Sequence, residues 1–150
     1  MKPLQAIIVA ILCVVGALYW YAGEQEKHYG PDARNYLNQA LGAFGSWQRD
    51  RIKTQLAPPM LAAVDDAQLD ALIDRYRALG GFRRIDDLAF ARLMAALSFF
   101  SSNILLSYHG TAVFEHGSAT LAVTLLANDG RLQIYNFSFG APKINSTASK

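Results

Sequence analysis

Charge is scarce in this chain. Only 17% of its 150 residues are Asp, Glu, Lys or Arg, against 52% apolar. That balance excludes disorder, because so apolar a chain has ample surface to bury. Cysteine is scarcer still: Cys13 stands alone, so there is no disulfide framework. A basic stripe is also missing. From Gly23 onward, 13 Lys and Arg face 12 Asp and Glu, which argues against nucleic acid as a partner. The sequence has no glycine-rich phosphate loop, no metal-ligand spacing and no nucleophile elbow. No catalysis, cofactor or metal is therefore expected.

What the chain does have is one long uncharged run. Pro3 to Gly23 carries Gln5 as its single polar side chain and ends at Tyr19, Trp20 and Tyr21. A helix over residues 3–23 would extend about 30 Å, the thickness of a hydrocarbon core. The three aromatic residues stand where an interfacial belt belongs, and Glu24, Gln25, Glu26 and Lys27 follow at once. A secretory signal cut after Ala17 is the competing reading, but it would leave Leu18-Tyr19-Trp20-Tyr21 as an exposed apolar end. A retained single-pass anchor is expected, its N-terminus cytoplasmic and the rest periplasmic, in a bacterial inner membrane. The bilayer is then the first partner. A second uncharged run, Leu93 to Phe114, is rejected as a span because it holds Ser98, Ser101, Ser102, Asn103, Ser107 and His109.

Beyond the anchor the sequence predicts a linker over 24–30, an α+β domain over 31–140 and a disordered tail over 141–150. Pro31-Asp32 opens a helix with Leu37, Leu41, Phe44, Ile52 and Leu56 near one face, and Pro58-Pro59 closes it. Asp65 or Asp66 caps a second helix, whose apolar residues Leu69, Leu72, Ile73, Tyr76 and Leu79 fall at helical spacing before Gly80-Gly81. Phe82 to Asp86 reads as an edge strand; Leu88 to Phe100 fits a helix or the entry to a strand. Period-two segments at 104–115, 118–127 and 131–139 then read as an antiparallel meander, turning at His116-Gly117 and Asp129-Gly130. Helices followed by a meander imply helices on one face of a curved sheet.

Certain residues carry a family likeness. They are Trp47, the run Leu69-x2-Leu72-x3-Tyr76-x2-Leu79-Gly80, then Tyr108-x5-Phe114-Glu115-x-Gly117 and Gly130-x-Leu132-x-Ile134-x2-Phe137. Over Pro31 to Gly140 the chain resembles bacterial NTF2-like (cystatin-like) domains. Position 132, often Trp in such domains, is Leu here. The resemblance implies a fold and leaves function open, since such domains serve as enzymes, ligand binders, dimerisation modules and assembly factors.

Pairing 115 with 118 and 128 with 131 sorts the strand residues into two faces. Tyr108, Ala112, Phe114, Leu121, Val123, Leu125, Leu132 and Ile134 make a core face. Opposite them come Thr111, Val113, Thr120, Ala122, Thr124, Tyr135, Phe137 and Phe139, with His109 beside Thr124 beside Tyr135. A bulge near Tyr135-Asn136 would return Phe137 and Phe139 to the core. An aromatic, threonine-rich face is expected to meet a partner, so His109, Thr111, Thr124, Tyr135, Phe137 and Phe139 are the interface candidates. That partner is another membrane or periplasmic protein, or a second copy in a homodimer. The expected role is a non-catalytic accessory or assembly subunit of a cell-envelope complex. The alternative is a ligand-binding or dehydratase-like cleft between helices and sheet, using Tyr76, Tyr108 or His109.

Overall fold

The computed structural model describes residues 3–91 and 103–145. One helix, α1 (Pro3–Phe44), runs unbroken from the apolar segment into the domain. The expected linker over 24–30 is part of it. Pro31 lies inside α1, where it has no N–H to donate and crowds the preceding residue's Cβ. That preceding residue is Gly30, which has no Cβ to crowd. Glycine and proline here read as a break in sequence and act as a compatible pair in space.

The two halves of α1 live in different surroundings. Along Pro3–Glu24 the side chains are exposed, from Leu4 at 66% to Val15 at 56%, so this is no core helix. The segment is long and apolar enough to cross a membrane, a test that a secretory signal also passes. Further on, Ala33, Leu37, Ala40, Leu41 and Phe44 are fully buried at helical spacing. The same helix therefore ends as the central element of the core.

At Gly45 the chain turns, since a Cβ there would lie 2.5 Å from the Phe82 backbone nitrogen. Trp47 adopts a left-handed φ of 52°, held by its indole N–H, which donates to the Gly80 carbonyl at 2.8 Å. Two short helices follow, α2 (Arg49–Lys53) and α3 (Pro58–Ala63). Pro58-Pro59 thus opens a helix instead of closing one, because the first turn has no use for its N–H groups. Helix α4 (Asp66–Tyr76) starts as expected. Asp65 Oδ1 accepts from the Gln68 N–H at 2.7 Å, and Gln68 Oε1 accepts from the Asp65 N–H at 3.1 Å. Asp65→Ala removes half of that reciprocal pair and should lower unfolding stability by about 1 kcal/mol, read from the denaturation midpoint.

The sheet follows in the order β1 (Phe82–Phe90), β2 (Ile104–Phe114), β3 (Gly117–Asn128) and β4 (Arg131–Phe139), all antiparallel. A two-residue strand β5 (Lys143–Ile144) pairs with the start of β3, so the expected disorder of the tail does not hold there. The reading of Leu88 to Phe100 lies outside the described residues from position 92 on. The free edge of β4 is covered: the Ala57 N–H donates to the Ile134 carbonyl at 2.7 Å, and the Ile134 N–H to the Gln55 carbonyl at 2.9 Å. Helices pack on one face of this sheet, and a single buried cluster joins them to it. The fold is α+β.

Two features of register differ from expectation. The β2–β3 turn is Glu115-His116, with Phe114 paired to Gly117, so His109 faces Ala122 and Thr124 faces Ser107. His109, Thr124 and Tyr135 therefore do not form a row. The turn is pinned by its own backbone, as the Glu115 N–H donates to the Gly81 carbonyl and the His116 N–H to the Leu79 carbonyl, each at 2.9 Å. The β3–β4 turn is at Asp129-Gly130 as expected, but pairing then slips by one: Leu125 faces Ile134, and Thr124 faces Asn136. Tyr135 is the extra residue of this bulge.

Candidate functional site

The bulge decides what the outer sheet face is made of. It places Phe137 opposite Val123 and Phe139 opposite Leu121, on the core side, where both pack against buried residues. Phe44 meets them edge-on, with ring centroids 4.9 and 6.3 Å away. Phe137 and Phe139 are thus core residues, and the outer face loses its aromatic character. What remains on β2 and β3 is Ser107, His109, Thr111, Val113, Ser118, Thr120, Ala122 and Thr124. No formal charge occurs among them. Ser107 and Thr124 bond across the strands, Oγ to Oγ1 at 2.9 Å. At the β1 edge Arg84 Nε donates to Asp86 Oδ1 at 2.8 Å, so the adjoining charges neutralise each other. His109 is exposed, while Thr111, Thr124 and Tyr135 are half-buried.

A second region lies on the other face, where α1 diverges from the end of the sheet. It is a cavity of about 450 Å³. Helix α1 supplies one wall through Glu26, Gly30, Pro31, Arg34 and Asn35; the sheet supplies the other through Leu88, Phe90 and Tyr108. Phe90 lies 5.2 Å from Tyr108, ring to ring, and also packs with Ala22 and Leu18 on α1. These contacts fix the end of β1 beside the apolar half of the helix. The Tyr108 hydroxyl is buried and makes no hydrogen bond. Burial pushes the phenol up to about 12; the Glu26 carboxylate adds to that rise and the Arg34 guanidinium opposes it. Both charged groups thus act on one buried proton.

No protein-family model, curated protein or solved structure matches this chain. Its chemistry has to be read from geometry. Of the residues named for a catalytic cleft, Tyr108 lines the cavity, but Tyr76 spends its hydroxyl on the carbonyls of Phe139 and Gly140, at 2.9 and 2.8 Å. His109 sits on the opposite side of the sheet from Tyr108, its neighbour in β2. The three are not brought together. Among the described residues no group of three or more His, Cys, Asp or Glu is placed to hold a metal ion. Tyr19 and Trp20 are exposed near the end of the apolar segment, and Tyr21 is half-buried.

The cavity was not visible in the sequence. Its walls come from positions near 30, 90 and 108, and the stretch around Glu26 reads as a linker. One signal did exist: Glu26, Gly30 and Arg34 recur at fourth-residue spacing, which on a helix is a single face.

Proposed function

We propose that this chain is a non-catalytic accessory or assembly subunit of a cell-envelope membrane complex. Residues 3–24 anchor it in a bacterial inner membrane, with the N-terminus cytoplasmic and the α+β domain periplasmic. The observation that carries this reading is the continuity of α1, whose exposed apolar half and fully buried half belong to one helix. Cleavage after Ala17 would cut that helix and remove nothing the domain could spare cleanly, since Leu18 packs with Ala22 and Phe90. Alkali extraction should leave the protein in the membrane fraction, and protease added to spheroplasts should digest the domain. Release of a soluble species beginning at Leu18 would overturn the anchor.

The partner docks on the outer face of β2 and β3. Solvated sheet faces normally carry charge, whereas interface cores are depleted of it. His109, Thr111, Thr124 and Tyr135 remain the contact candidates, and a homodimer or a different membrane protein is the occupant. Confinement to one membrane raises effective concentration, so a modest interface suffices. Thr111→Arg sets a charge at the centre of this face, away from the buried cluster. The intact particle in mild detergent should fall in mass to the single chain, with stability unchanged to within about 0.5 kcal/mol. Full association of that variant would remove the sheet face from consideration. The NTF2-like assignment also belongs here: helices on one face of an antiparallel meander are what the sequence resemblance implies.

Ligand binding is the second reading, and the cavity favours it. Its size suits a small molecule, and its polar groups converge on one buried hydroxyl. Acid–base catalysis is a poorer fit. A phenol raised to about 12 stays protonated near neutrality, and no histidine reaches it from its own face.

A further inference from the structure

We propose that the cavity between α1 and the β1–β2 end of the sheet holds the headgroup of an ethanolamine phospholipid, its phosphate toward Arg34 and Tyr108 and its ammonium toward Glu26. This rests on residues 3–24 spanning the bilayer. Four observations on the molecule lead to it.

The first is height. Glu26 lies about 3 Å and Arg34 about 15 Å beyond Glu24 along the helix axis, which is the depth of the headgroup layer. The second is charge. The cavity is lined by one acid and one base, Glu26 and Arg34, so its best match carries both signs. A guanidinium forks onto phosphate oxygens, and a carboxylate keeps acceptor sites for more than one N–H. Choline offers no N–H, and a glycerol headgroup offers no cation. The third is Tyr108, whose hydroxyl is buried among these groups without a hydrogen bond and gains one from a phosphate oxygen.

The fourth observation selects a lipid over a soluble zwitterion. A second depression, of about 380 Å³, shares Glu26 with the cavity and continues down the apolar half of α1 past Gly23, Trp20 and Gly16. Side chains added at Gly16 or Gly23 would meet nothing within 4 Å, so the helix surface is open there. An acyl chain fits that route once the headgroup is seated.

The test uses the full chain, stripped of lipid in mild detergent. Phosphatidylethanolamine or phosphatidylglycerol of the same acyl chains is added back, and retention is read by mass spectrometry of the intact complex. The wild type should retain the ethanolamine lipid at least about tenfold better, the scale of one charge-assisted contact. Arg34→Gln should abolish that retention. Tyr108→Phe should weaken it several-fold without lowering the unfolding temperature, since it deletes a hydroxyl that bonds to nothing in the protein. Equal retention of both lipids, or indifference to both substitutions, overturns the proposal. Free phosphoethanolamine binding as tightly as the lipid overturns the lipid as its source. Alkali extraction is scored separately: release from the membrane refutes the span itself, whatever the lipid preference in detergent.

Discussion

Phe44→Ala should destabilise the fold by about 3–5 kcal/mol, the largest loss expected from any single truncation in this chain. Phe44 is fully buried where α1 ends, and it joins the helix to both aromatic residues that the β4 bulge turns inward. Phe139 in turn lies 5.3 Å from Tyr76 and 6.3 Å from Phe114, ring to ring. Truncation opens a cavity at the hub of that cluster and forfeits two edge-to-face contacts, each about 0.5–1.5 kcal/mol beyond area burial. Denaturant unfolding of the full chain in mild detergent reads the loss. Phe44→Leu keeps most of the volume and should cost far less. If Phe44→Ala cost under about 1 kcal/mol, Phe137 and Phe139 would not be core residues.

Gly117→Ala is the second large effect, about 2–3 kcal/mol, from a single added methyl. A Cβ at Gly117 would stand 2.2 Å from the Lys143 carbonyl oxygen and 2.8 Å from Leu79 Cδ2. Backbone cannot yield as a flexible side chain can, so β5 must separate from β3. The Asn145 N–H, which donates to the His116 carbonyl at 2.8 Å, should lose its protection from hydrogen exchange. Gly42→Ala is the informative contrast. Gly42 is exposed inside α1 with open space around it, so the same methyl should stabilise by up to about 1 kcal/mol. Opposite signs from one substitution would separate crowding from helix propensity.

How far the sequence revealed these features depends on how local their causes are. The start of α4 was legible because Asp65 and Gln68 satisfy each other within four residues. Strands β2 to β4 were legible because period two survives wherever one face is buried. Gly117 misled by one position: it looks like a turn glycine, but its missing side chain serves the approach of Lys143, 26 residues away. The bulge did more damage. One extra residue at Tyr135 reverses the facing of everything after it, and so converts an aromatic outer surface into a core. The sequence allowed that bulge without choosing it. Gly30-Pro31 hid the continuity of α1, because each residue alone weakens a helix and only their adjacency removes the clash. The cavity depended on that continuity and vanished with it.

A rod shared by bilayer and domain also makes a lever. Between Glu24 and Phe44 the arm of α1 is about 30 Å long. A helix accommodates membranes of different thickness by tilting, and here no joint lies between the tilting part and the core. Leaning by about 10° would carry the Phe44 end roughly 5 Å sideways, and the sheet with it. The posture of the domain over the membrane thus becomes a gauge of bilayer thickness, and its docking face swings toward or away from a neighbour as the lipid changes.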